Sequence, residues 1–370
     1  MTKHSRLDRR AFVGMMGLTP VVMQTAWTHA ISRSPQCAYV GAMKDGIHVF
    51  GIRDEGWKLK QVIASAAPVS LAMHPNRRFL YVVNEVAQHE GLPSGSVEAF
   101  AVGPDGTLRP LNRRSLSLSA TLPRHLTLSP DGKSAIVAVH GGGAYNMLPI
   151  GKDGQLGRVI SVVKETGSGP NGRHQLSAHP QMLLFDKTGK RLLTSDMGSD
   201  RVNVLTLNEG GLMVLGRYAM DAGSGPKQIV MHPAGHLIYV ANELNGSVCG
   251  YEYDQVIGRI LRRVEWLNER VGGAMVLHPS GDFLYTVGTD NDGTIQSWRV
   301  DAASGRLSRT HEWNLGPDRL HAIKMDRDSL IVLSDVQQGV IRFSPDPATG
   351  QLNDPVVVAK VSAPRSVTML

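Results

Sequence analysis

An apolar run, a polar turn and a second apolar run recur six times along the chain, and an internal repeat limits the fold more than any other feature does. The copies read SLAMHPNRRFLYVVNE from Ser70, HLTLSPDGKSAIVAVH from His125, MLLFDKTGKRLLTSD from Met182, QIVMHPAGHLIYVANE from Gln228, AMVLHPSGDFLYTVGT from Ala274 and AIKMDRDSLIVLSD from Ala322. The residue at the head of each turn stands at 74, 129, 186, 232, 278 and 326, so the steps are 55, 57, 46, 46 and 48 residues. Each hairpin is followed by a segment such as GSVEAFAV (95–102), DRVNVLTL (200–207) or GTIQSWRV (293–300), whose alternation predicts a half-exposed third strand. A short glycine turn then leads to a fourth. Four strands in a period of this length predict an all-β chain built from propeller blades.

Two pieces lie outside the six copies. CAYVGAMKDGIHVFGIRDEGWKLKQVIA, from Cys37, holds a second, third and fourth strand without a first. APRSVTML, from Ala363, holds a first strand and nothing after it. Together they complete a seventh unit, and joining the two termini in one sheet removes the free edges that an open sheet would expose. The expected architecture is a seven-bladed β-propeller closed by N- and C-terminal strands in one blade. An open solenoid would need capping repeats rather than complementary halves.

The register of the blades points to a site. In each inner hairpin the turn lies at one end, and the start of the first strand and the end of the second lie together at the other. Lys227 and Glu243 are thereby brought to one face, at the mouth of the central channel. Strand starts bring Arg124, His125, His179, Gln181, Lys227, Gln228 and His321 there; strand ends bring Glu85, His140, Asp196, Glu243, Thr289 and Asp335. Different polar residues at equivalent positions are not a product of repetition, and a concave set of convergent polar groups is a binding site by default. The His-Pro pairs at 74, 232 and 278 fall at the opposite face and read as turn chemistry.

The first thirty residues read as an address rather than a fold. Lys3, Arg6, Arg9 and Arg10 form a basic stretch, and no charge follows from Ala11 to Ala30. SRLDRRAFV resembles the twin-arginine export signal, and Thr28-His29-Ala30 is a small-residue cleavage site. The domain expectation is a signal segment over 1–30 and a propeller over 31–370, periplasmic or secreted, with the twin-arginine machinery as partner of the precursor. No membrane span is expected in the mature chain. The formal charge of +7 comes without a long basic run, and aromatics are only 5%, which disfavours nucleic acid as a partner and leaves a small anionic molecule. Cys37 and Cys249 fall in strands far apart in the repeat order and predict two buried free thiols.

The blades resemble the lactonase family of seven-bladed propellers, which includes 6-phosphogluconolactonases and carboxymuconate cyclases. The resemblance is carried by Leu80-Tyr81-Val82-Val83-Asn84-Glu85, Pro123-Arg124-His125-Leu126, Ser129-Pro130-Asp131-Gly132-Lys133, Gly167-Ser168-Gly169-Pro170 and Gly223-Ser224-Gly225-Pro226 through Asn242-Glu243-Leu244. It departs at the mouth. A His-x-His motif reads His179-Pro180-Gln181, a Pro-Arg-His motif reads Pro226-Lys227-Gln228, and a Ser-Asn-Arg motif reads Val287-Gly288-Thr289. Lysine keeps the charge of arginine but lacks its bidentate fork.

The resemblance implies hydrolysis of a sugar lactone without cofactor or metal. His179 is then the expected general base, Lys227 the clamp for the developing oxyanion and Glu243 the residue that orients them. Glu85, Arg124, His125, Gln181, Gln228 and His321 are expected to bind substrate. The alternative from another class is a catalytically silent propeller that binds a ligand or protein. A muconate-type cyclase would need a carboxylate-gripping arginine that the motifs do not supply.

Overall fold

The inner strands close into a circle. In the computed structural model, which describes residues 36–370 apart from 54, 55, 209 and 354, twenty-eight strands form seven four-stranded antiparallel sheets. Blades one to six span residues 68–115, 123–164, 180–219, 226–267, 274–314 and 320–360. Each inner strand packs on the inner strand of the next blade, Pro68–Met73 on Pro123–Leu128 and so on round to Pro364–Met369, which returns to Pro68–Met73. The fold is thus a seven-bladed β-propeller. Blade seven is made from both ends of the described chain: Pro364–Met369 pairs with Cys37–Ala42, Tyr39 lying opposite Thr368 and Val40 opposite Val367. The expected signal segment lies outside the described residues.

The burial pattern follows from this layering. Second strands such as Phe79–Asn84, Ser134–Val139 and Leu237–Asn242 are buried at every position, because each has a neighbouring blade on both faces. Seven apolar clusters result, one at each interface between blades. The third strands differ from the expectation of half-exposure. Ser96–Val102 and Thr294–Val300 are buried over their first five residues, and solvent is met by the fourth strands, such as Leu108–Ser115. Both faces of the third strand still lie between blades, and its alternation only sorts large side chains from small. Cys37 and Cys249 are buried and free, as expected.

A tyrosine ties several interfaces together. The hydroxyls of Tyr39, Tyr81 and Tyr239 each donate to a glycine carbonyl in a turn of the next blade, Gly106, Gly154 and Gly305, all at 2.9 Å. Gly106 has φ of +86°, and a Cβ there would lie 2.3 Å from the Cys37 sulfur. Glycine is required at such a turn by backbone conformation and by space alike.

Candidate active site at the channel mouth

The mouth is built by a repeated irregularity. Where each inner strand begins, its ladder to the second strand skips one residue: Val69, Arg124, Gln181, Lys227 and His321 are each stepped over. Arg365 is skipped in the same way opposite Gly41–Ala42 in blade seven. Blade five has no such skip, and the equivalent position is Gly273, just before the short strand Ala274–Leu277. A bulge leaves its extra residue out of the ladder and re-aims its side chain. All seven of these positions line a single cavity of about 380 Å³, together with His125, Gln228, Glu85, His140, Glu243 and Arg319. The sequence thus turns one backbone device, repeated round a ring, into a set of unlike groups facing one space.

Charge in the cavity is paired but not balanced. Its lining holds four cations, Arg124, Lys227, Arg319 and Arg365, and two carboxylates, Glu85 and Glu243. Arg124 Nη1 lies 2.7 Å from Glu85 Oε1, and Lys227 Nζ lies 2.9 Å from Glu243 Oε1. Behind the lining, Asp335 accepts from His321 Nε2 at 2.6 Å and from Arg365 Nη1 at 3.0 Å. Arg319 has no carboxylate partner among the described residues. The excess of cations favours an anionic ligand or a charge that develops during reaction.

Burial sets the protonation states. It lowers His140 to about 4, helped by Arg124 and His179 and opposed by Glu243. It lowers His125 to about 4 as well, with Lys324 adding to the effect. Both imidazoles are therefore neutral near pH 7. Gln181 Nε2 donates to His140 Nδ1 at 2.7 Å, so the proton of His140 sits on Nε2 and is available for donation. The Leu183 N–H is directed at His125 Nδ1 in the same manner, at 3.4 Å. Burial raises Glu85 above the ordinary carboxylate value in spite of Arg124 and Arg365. Glu243 goes the other way: burial pushes it up, but Lys227, Arg124 and Arg319 outweigh burial and hold it down. One carboxylate of the cavity is thus a better proton acceptor than the other.

The family model described as a lactonase with a seven-bladed β-propeller matches residues 37–369. This chain belongs to that family. It is 24% identical over 343 residues to a 6-phosphogluconolactonase of Bacillus subtilis, with 89% of this chain and 95% of the relative covered. A 6-phosphogluconolactonase of Pectobacterium carotovorum is 26% identical over 351 residues, covering 90% of this chain and 98% of its own. Among solved structures, a Bacteroides fragilis chain provisionally assigned as a 6-phosphogluconolactonase superposes with a TM-score of 0.83 at 25% identity, covering 92% of this chain and 99% of that one. The periplasmic gluconolactonase of Pseudomonas aeruginosa shares the fold, with a TM-score of 0.81 at 24% identity over 91% of this chain and 99% of its own.

Within this lactonase-family propeller, the expected residues do not all meet. Lys227, Glu243, Glu85, Arg124, His125, Gln181, Gln228 and His321 line the cavity; His179 does not. His179 precedes Pro180, one residue outside the inner strand, whereas the bulge position of its blade is Gln181. Its ring stacks on that of His140, with centroids 4.3 Å apart, and its Nδ1–H donates to the His140 carbonyl at 3.0 Å. Asp196 is also set back. Its Oδ1 accepts the amides of His179, Gly198 and Ser199 at 2.7, 3.0 and 3.2 Å, and Met197 takes the place at the lining. The sequence reading missed Arg319 and Arg365. The second had a visible signal, since Pro364-Arg365 repeats the Pro123-Arg124 that opens blade two. Among the described residues no group of three potential ligands gathers to hold a metal.

Proposed function

We propose that the protein hydrolyses a sugar lactone in this cavity. The observation that carries the reading is the pairing of Lys227 with Glu243 and of Arg124 with Glu85 across one space that still holds an excess of cations. Water adds its oxygen to the lactone carbonyl carbon, the bond from that carbon to the ring oxygen breaks, and the ring oxygen leaves as a hydroxyl. The products are one carboxylate and one proton. Negative charge gathers on the carbonyl oxygen as the tetrahedral intermediate forms, and preorganised cations and N–H donors act most strongly on such a charge. Lys227, positioned by Glu243, supplies the cation, and the Nε2–H of neutral His140 supplies a donor.

The base in this reading is Glu85. A base works best when its pKa lies toward the operating pH, and Glu85 is the lining carboxylate that burial has raised. His179, expected as the base from the family resemblance, becomes a positioning residue that holds the ring of His140 by stacking. Arg319 and Arg365 then receive the product carboxylate. The test is proton release from a panel of aldonolactones, with and without a phosphate or second carboxylate, measured in a pH-stat. Opening above the buffer rate supports the reading. A panel untouched above background, with ligands still bound, would establish the silent scaffold.

The proposal includes export, which rests on Arg9-Arg10 and the uncharged stretch that follows. Replacing both arginines by lysine leaves precursor in the cytoplasm on this reading. Undiminished mature protein outside, seen by immunoblot of cell fractions, would contradict it.

A further inference from the structure

On one side of the mouth, backbone takes the place of a side chain. Blade five contributes Gly273 where its neighbours contribute Lys227 and His321. A Cβ on Gly273 would lie 2.7 Å from the Gly288 carbonyl oxygen and 2.8 Å from that of Val287, so the backbone itself keeps side chains out of this position. Just beyond the second strand of blade five, Phe283–Val287, this face carries Thr289. At this face lies a second cavity of about 320 Å³, with Glu243, Asn245, Arg270, Thr289 and Asp290 in its walls. Glu243 lines both cavities. The two spaces therefore share a wall residue at the side where the ring of mouth side chains is interrupted.

The chemistry of the second cavity differs from that of the first. Arg270 Nε lies 2.8 Å from Asp290 Oδ2, so its one cation and its new carboxylate neutralise each other. Asn245 and Thr289 add neutral polar groups, and Leu244 adds a short apolar surface. A paired guanidinium and carboxylate, neutral amide and hydroxyl groups and one aliphatic side chain suit a ring that carries hydroxyls on its edges and C–H groups on its face. They do not suit a second anion. Each cavity alone is near the lower bound of pockets that enclose a small ligand, about 300 Å³.

We propose that the second cavity is a subsite for a further sugar ring, and that the preferred substrates are aldobionolactones: disaccharide lactones whose lactone ring enters the channel mouth while the glycosidically linked neutral ring rests between blades four and five. This rests on the lactone hydrolysis proposed above. Contacts to the remote ring act on the reaction through binding energy spent at the reacting carbon, so they register in kcat/KM.

The experiment compares kcat/KM of the purified protein for glucono-1,5-lactone and cellobiono-1,5-lactone by proton release. The parent favours the disaccharide lactone by about tenfold or more, and Thr289→Arg, which fills the second cavity, brings the ratio to about one. Asn245→Ala lowers the ratio by a smaller factor. Asn245 Oδ1 also accepts from the Ser247 N–H and hydroxyl, so thermal unfolding of both variants shows whether the propeller is intact, and Asn245→Asp, which keeps that acceptor and replaces the amide donor, serves if it is not. Turnover of the monosaccharide lactone with an equal or lower rate for the disaccharide would overturn the subsite and leave the hydrolase reading standing. A preference that survives both changes would also overturn it. If neither lactone is opened, the hydrolase reading falls and the subsite falls with it.

Discussion

The two ends of the inner hairpins are built by the same repeat and used differently. At the turn end three of the six copies also repeat their chemistry. His74, His232 and His278 each accept a backbone N–H from two residues further on, at 3.1, 3.2 and 3.2 Å, and so close their own turns. At the mouth end the backbone repeats a bulge in every blade but the fifth, while the residue at that position changes from valine to arginine, glutamine, lysine, glycine in the unbulged fifth blade, histidine and arginine again. Like residues at like positions serve the fold. Unlike residues at like positions have been released from the fold and are free to serve a ligand. This separates the histidines of the chain by position where composition would have grouped them.

Breaking the ring itself gives the largest effect. Deleting residues 362–370 removes the inner strand of blade seven and leaves one side of Cys37–Ala42 unpaired. It also uncovers an apolar cluster that contains Val358, Val361 and Val367. An open edge and an exposed core arise together, so a cooperative thermal transition is lost or falls by tens of degrees. A truncated chain that melts like the parent would contradict closure by the termini.

The next largest effect separates the mouth from the turns by activity. Glu85→Gln keeps the shape of the side chain and removes the proton acceptor. Turnover falls by about two to four powers of ten, the usual worth of a positioned base, while thermal stability changes little. With Glu85 as the proposed base, the parent's activity declines as pH falls through the raised pKa of that carboxyl. A pH–rate profile for Glu85→Gln that keeps this acid limb at the parent's rate would assign the base elsewhere.

A third test uses stability. His125 and His140 are both depressed to about 4 from 6.5, so the unfolded chain binds more protons than the folded one between those values. Their contribution is fully present above pH 6.5 and is lost as pH falls toward 4. The midpoint of urea unfolding should decline over that window, and His140→Gln should flatten part of the slope. An unchanged slope in that variant would show that the mouth imidazoles are not buried as described. The smallest effect belongs to the turns. His232→Ala loses a buried ring and its bond to the Ala234 amide, costing about 1–3 kcal/mol of stability and leaving kcat/KM at the parent value.

These tests also show which parts of the molecule could be read from sequence. Blade number, hairpin register and closure were legible, because a buried strand with neighbours on both faces must be apolar along its length and the turns between strands must carry glycine or proline. The mouth was legible to within one residue, and one residue is what a bulge moves. Counting from the turn places Asp196 at the lining, but the ladder places it one step back, where it caps a turn, and puts Met197 forward. His179 is misplaced for the same reason, since Gln181 is the residue its blade displaces into the channel. Arg319 lies one residue before its strand, at the position His179 holds in blade three, and the folded ring shows that in blade six this position reaches the cavity.

The central claim is that the mouth of this propeller opens lactones through its cations, and Lys227 tests it most directly. Its pair with Glu243 is about one-third exposed, so Lys227→Ala leaves the fold close to the parent in stability. The measurement is the rate of proton release from an aldonolactone by the parent and by Lys227→Ala under identical conditions. The account predicts turnover by the parent and a loss of about 10²–10³ in kcat for the variant, the worth of one oxyanion donor. Equal rates in the two proteins, or no rate above buffer in either, would contradict it.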